Sequence, residues 1–178
     1  MILALTGRRI DNTDADEARF PPRNIGRVSR DVEKLLSQLG VNVLVSSAAC
    51  GADLIGLSEA GKLGIRRRVV LPFSREKFKV ESVTDRPGDW GHLFDMILND
   101  VATMGDLVIV EKTSSGDPFK EGNLAIVDEA VALGRERQDE VAGLVVWNGA
   151  PRGEPDYTAD FREQCRTRGL RVFEARTD

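Results

Sequence analysis

Three short stretches carry residue types that could do chemistry on a ligand. The first is Thr6-Gly7-Arg8-Arg9. A glycine here lets backbone approach a phosphate, and Arg8 and Arg9 can fork onto phosphate or carboxylate oxygens. The same residues are also compatible with an ordinary turn and solvated arginines. Arg19 and Arg23 could fold back to the same place from the polar segment that follows.

The second stretch is Ser46-Ser47-Ala48-Ala49-Cys50-Gly51-Ala52-Asp53. Its small side chains leave room for a ligand. A helix opening after it would offer free N–H groups and the positive end of a dipole. Ser47, Gly51, Ala52 and Asp53 are therefore binding candidates. Asp53 would either cap that helix or accept a ligand hydroxyl. The stretch is not a P-loop, because no Gly-Lys-Ser/Thr follows, and it is not GxGxxG. The third stretch runs over residues 111–123. Glu111 ends a strand-like run, and Glu121-Gly122-Asn123 leads into a helical pattern. Asn123 is a ligand candidate or a helix cap.

A nucleophile is not visible. The one histidine, His92, reads as a cap or surface residue and excludes a His-rich metal site. Cys50 and Cys165 form no CxxC and read as small buried thiols, free and reduced. Lys62, Arg66, Arg67 and Arg68 read as a solvated turn between a helix and a strand.

The elements that must position these residues follow from periodicity. Aliphatic runs of strand length recur at residues 2–5, 41–45, 68–73, 107–110, 143–147 and 170–173. Near-continuous Val/Ile/Leu runs mark strands buried on both faces of a parallel sheet. Between them, apolar residues recur at helical spacing. Ile25, Val28, Val32, Leu36 and Leu39 lead to Gly40, and Leu54, Ile55 and Leu57 follow Asp53. Further helices carry Leu93 to Val101, Leu124 to Val131, and Phe161 with Cys165. Strand–helix alternation predicts an α/β fold, a three-layer α/β/α Rossmann-like doubly wound domain with a mainly parallel sheet. Ligands bind such sheets at the carboxyl rim. Residues 11–24 and 74–91 fit neither class and are expected to be long loops on that rim.

Composition bounds the function. The chain has 178 residues, 41% of them hydrophobic, which suits one domain with a core that needs no disulfide or metal. Lys and Arg total 25 against 29 Asp and Glu, a net charge of −4, so a nucleic-acid partner is not expected. No apolar run approaches the ~20 residues of a membrane span, and the start of the chain lacks a basic n-region. A cytoplasmic protein is expected, with no membrane partner and homo-oligomerisation left open.

The first strand ending in Thr-Gly-Arg, with the Ser46 to Asp53 stretch after the second, resembles the SLOG superfamily. That superfamily includes the Lonely guy phosphoribohydrolases and the DNA-processing protein A domain. The usual pattern there is similar to Ser-Gly-Gly-Ala-x-Gly-Ala-Asp. Ser46, Ala49, Gly51, Ala52 and Asp53 match it, while Ser47 and Ala48 stand at glycine positions. Lonely guy enzymes carry Pro-Gly-Gly-x-Gly-Thr-x-x-Glu with a catalytic glutamate. Here residues 121–129 keep only Gly122 of those glycines, and Glu129 matches loosely.

The resemblance implies the fold and a nucleotide-like ligand. The expected function is binding or sensing of a nucleotide or nucleotide-derived, phosphorylated small molecule, and the sequence indicates no particular cofactor besides that ligand. Phosphates are expected on Gly7, Gly51 and the helix near Asp53, with Arg8 and Arg9 supplying charge. Asp53, Glu111 and Asn123 would meet the sugar or base. The alternative is a nucleotide N-glycosidase using Glu111, Glu121 or Glu129. A third reading is an interaction domain whose rim docks a partner.

Overall fold

The computed structural model describes residues 1–110 and 116–178. Six strands form one sheet: β1 (Ile2–Gly7), β2 (Val43–Ser46), β3 (Arg66–Leu71), β4 (Leu107–Ile109), β5 (Val141–Trp147) and β6 (Arg171–Arg176). Their order is β4-β3-β2-β1-β5-β6, and every pairing is parallel. Successive strands step outward from β1 to β4, and the chain then returns to place β5 on β1's other side. The order therefore reverses between β1 and β5, where an open α/β sheet forms a crevice at its carboxyl edge.

Among the described residues six α-helices cover the sheet: α1 (Ile25–Gln38), α2 (Ala52–Lys62), α3 (Arg75–Ser82), α4 (Trp90–Thr103), α5 (Pro118–Arg137) and α6 (Tyr157–Thr167). Strand side chains alternate between faces with period two. Leu3 and Leu5 of β1 enter one core with α1, α2 and α4, through Val32, Leu57 and Phe94. Ile2 and Ala4 enter the other, against Val127 of α5 and Phe161 of α6. The three-layer α/β/α Rossmann-like fold is thus explained by strands apolar on both faces. Among the described residues no helix is long and apolar enough to cross a membrane.

Three expectations need correction. Residues 74–91 are not one long loop, because α3 lies within them and Ser74 Oγ caps it by accepting from Lys77 N at 3.4 Å. α3 buries only Phe78 and Ser82, so its apolar period is too sparse to read. α5 begins at Pro118 rather than beyond Asn123, with the Asp117 carboxylate accepting from Phe119 N at 3.0 Å. Proline at the first helical position and a capping aspartate set that start. The basic run at 66–68 is no solvated turn either. It opens β3, where Arg66 binds Asp106 at 2.7 Å, Arg67 binds Asp100, and Arg68 binds Glu129 at 2.7 Å.

Candidate functional site

A cavity of about 720 Å³ lies at the carboxyl rim. Ligand clefts of small molecules span roughly 300–1,000 Å³. Thr6, Gly7 and Ser47 border it from the ends of β1 and β2, Asn123 from α5, and Tyr157 from α6. Gly7, Ser47 and Asn123, which are far apart in sequence, thus face one space.

Asp53 sits at the second position of α2, is 3% exposed, and borders the cavity. It does not cap its helix; Gly51 holds that position. Its Oδ2 accepts from Ser47 Oγ and, at 3.4 Å, from Ala49 N. Its Oδ1 is buried and receives no hydrogen bond of ordinary geometry. Burial pushes the carboxyl up to about 6, against the favourable influence of Ser47, the Ala49 and Gly7 amides, and Arg9. A carboxyl of this kind can hold or release a proton near neutrality, and its free oxygen can accept a donor.

Arg8 is 5% exposed and heavily engaged. Its Nη1 and Nη2 donate to Asp156 at 2.6 and 3.0 Å, Nη2 also to Ala150 O at 2.7 Å, and Nε to Asn148 Oδ1 at 3.1 Å. Asp156 also caps α6, accepting from Thr158 N and Ala159 N at 3.1 Å each. Burial raises the Asp156 carboxyl, but Arg8 and the amides of Arg152 and Ala159 outweigh it and hold it below the usual range. One ion pair therefore locks the β1 end to the loop between β5 and α6. Arg9 meets both oxygens of Asp85 at 2.9 Å. Arg86 borders the cavity with its Nε buried and only 3.5 Å from Asp85 Oδ2.

Gly51 and Ala52 serve the scaffold. Gly51 has φ +93°, and a Cβ there would lie 2.8 Å from Arg8 O and 2.9 Å from Ile10 N. Ala52 N donates to Arg8 O at 3.1 Å and Leu54 N to Ala49 O at 3.2 Å. Two of the amides expected to be free at the start of α2, those of Ala52 and Leu54, are thus occupied by the chain itself. A Cβ on Gly7 would strike Val146 O at 2.3 Å and Ala52 Cβ at 2.5 Å, so this glycine lets β1, β5 and α2 meet.

Asn123 is not a cap, since α5 starts five residues earlier; its Nδ2 donates to Tyr157 O at 2.7 Å. Glu111 lies outside the described residues. Glu129 is engaged with Arg68 and does not border the cavity. Glu121 does not border it either. Burial pushes the Cys50 thiol up to about 11, so it is protonated at neutral pH and a poor nucleophile.

Several residues of the cavity wall escaped the sequence reading, among them two aromatics and an arginine. Phe119 and Tyr157 pack ring to ring at 5.3 Å in the first turns of α5 and α6. Each follows shortly after a capping aspartate on the carboxyl rim, a signal that was available. Arg152, in the loop after β5, borders the cavity too. Among the described residues its guanidinium forms no hydrogen bond; only its backbone N–H does, to Asp156 at 2.7 Å.

No protein-family model matches the chain, and no curated protein matches it. Among solved structures, the X-ray structure of DNA processing protein A from Streptococcus pneumoniae aligns with a TM-score of 0.42 and 15% sequence identity. The alignment covers 97% of this chain and 58% of that one, so the chain spans somewhat over half of its length.

Proposed function

We propose that the rim cavity binds a nucleotide or nucleotide-derived, phosphorylated small molecule, in a sensing or binding role. The observation that carries this reading is the mixture of chemistries in one cavity of about 720 Å³. Phe119 and Tyr157 offer aromatic surface to a base. The buried Asp53 offers an acceptor to a hydroxyl, and Arg152 offers charge-assisted bonds to a phosphate. The motif resemblance to the SLOG superfamily points the same way. With a net charge of −4, a small ligand suits the chain better than a nucleic-acid strand.

One observation favours a second reading, cleavage of a nucleotide's N-glycosidic bond. Asp53 is a carboxyl with a value of about 6 inside the cavity, whereas Glu129 is held by Arg68. A carboxyl near neutrality can act as acid or base on a leaving group. Calorimetric titration of adenosine and guanosine monophosphates, with chromatography of the recovered ligand, separates the readings. Binding with the nucleotide recovered intact supports the sensor; release of free base supports the hydrolase. If neither nucleotide nor ADP-ribose binds, both readings fail and an interaction domain remains.

A further inference from the structure

The nucleotide reading leaves the direction of the ligand open, and the sequence alone would place its phosphate at the start of α2. The geometry argues against that. The Ala52 and Leu54 amides are taken by Arg8 O and Ala49 O, and Gly51 faces the backbone of residues 8–10. The Asp53 carboxyl stands in the first turn of α2, where its charge repels a phosphate. Its Oδ1 is buried beside the cavity and, among the described residues, accepts no hydrogen bond of ordinary geometry, the Gly7 amide acting on the carboxylate only weakly; such an oxygen gains most from a neutral donor.

Positive charge gathers on another wall. Arg152 lies in the loop after β5, and the charges of Arg8, Arg19 and Arg9 all reach it. Arg8 is neutralised by Asp156, Arg9 by Asp85 and Arg19 by Glu17. Asp156 also acts on Arg152, but the Arg152 guanidinium makes no hydrogen bond among the described residues.

Resting on the nucleotide reading, we propose that the ligand is a ribonucleotide held by its sugar hydroxyls on Asp53 and by its phosphate on Arg152. Asp53 is then the residue that selects ribose over deoxyribose, and Ser47 fixes the carboxylate so that Oδ1 faces the sugar. Phe119 and Tyr157 remain for the base. The orientation is the reverse of the one expected from a helix N-terminus, and it follows from the Asp53 Oδ1 and the Arg152 guanidinium, since the other unbonded cationic donor on the cavity, Arg86 Nε, stands 3.5 Å from the Asp85 carboxylate.

The test is calorimetric titration with three probes: AMP, 2′,3′-dideoxy-AMP and adenosine. On the wild type, dideoxy-AMP is expected to bind ten- to a hundredfold more weakly than AMP, the range of a hydrogen bond to a charged group. In Asp53→Asn that difference should shrink below about threefold. Adenosine should also bind more weakly than AMP, and Arg152→Ala should abolish that gap while sparing adenosine. Equal affinity of the wild type for AMP and dideoxy-AMP overturns the sugar assignment without any variant. Equal losses for AMP and adenosine in Arg152→Ala overturn the phosphate assignment. AMP binding without ribose discrimination defeats the orientation alone; no binding of any probe or of ADP-ribose defeats the nucleotide reading with it.

Discussion

Arg8 and Asp53 are both buried charged residues at the rim, and their burial acts in opposite senses. Arg8 and Asp156 are 5% and 7% exposed, and four N–H···O contacts hold the guanidinium in place. Removing one partner of a buried pair strands the other charge, at a cost of about 3–5 kcal/mol. Arg8→Ala is therefore expected to lower stability by that amount in urea denaturation. Arg152→Ala should change it by less than about 0.5 kcal/mol, because its guanidinium makes no hydrogen bond among the described residues. Near-equal midpoints for wild type and Arg8→Ala would show that the pair is not structural. Asp53 works in the opposite sense. With the carboxyl at about 6 in the fold against 3.8 ordinarily, the folded state holds the proton more tightly than the unfolded state. Stability contributed by this group is present below about pH 4 and falls as pH rises through about 6, costing roughly 3 kcal/mol at pH 7. Ser47, the Gly7 and Ala49 amides, and Arg9 soften that cost but do not cancel the burial. Asp53→Asn should thus be more stable than wild type at pH 7, with the gain vanishing toward pH 4. Carboxylates held low, such as Asp156 and Asp106, lose their stabilisation only in acid and cancel between the two proteins. A stability difference that does not change between pH 4 and 7 would contradict the assignment.

At the scale of elements, the junction of β1 with α2 decides the shape of the rim. Gly51 sits at φ +93° with backbone atoms of residues 8–10 at 2.8–3.0 Å from any Cβ. Strain at such a φ and crowding against backbone each cost about 1–3 kcal/mol. Gly51→Val should therefore lower stability by roughly 2–6 kcal/mol, not merely block a ligand, and a thermal melt of the variant reads it. A melt equal to wild type would mean that the loop has slack. Much of this architecture was legible in the chain. Runs such as Val43-Leu44-Val45 have only one plausible environment, a sheet covered on both faces, and Val28, Val32 and Leu36 mark α1 as plainly. That Gly7, Ser47 and Asp53 border the rim cavity was legible because strand-to-helix loops put rim residues next to their elements in sequence. The aspartates before Phe119 and Tyr157 marked those two for the rim, but that they and Arg152 meet follows only from the packing of α5, α6 and the loop after β5. The engagement of Arg8 was not legible because its partner Asp156 lies 148 residues away, a distance no local pattern bridges. α3 was missed because two buried side chains in eight residues leave no period to see.

For the whole molecule, the sheet acts as a rigid frame whose reversal between β1 and β5 opens one crevice. The cavity walls come from the carboxyl ends of β1 and β2, from Asp53 of α2 and Phe78 of α3 in one helical layer, and from the loop after β5 and the first turns of α5 and α6 in the other, so a bound ligand would tie the two layers together. Binding to the folded state alone adds stability by mass action. The most direct measurement is a thermal-shift series with AMP, ADP, ADP-ribose and a cyclic nucleotide, each raised well past saturation. At about 100 times its Kd, a ligand of this cavity should add roughly 2.7 kcal/mol, which for a domain of this size is a shift of about 5–10 °C. The account predicts such a shift for at least one phosphorylated ribonucleotide, and its reduction in Asp53→Asn and Arg152→Ala. Melting temperatures unmoved by every nucleotide up to millimolar concentration would contradict it.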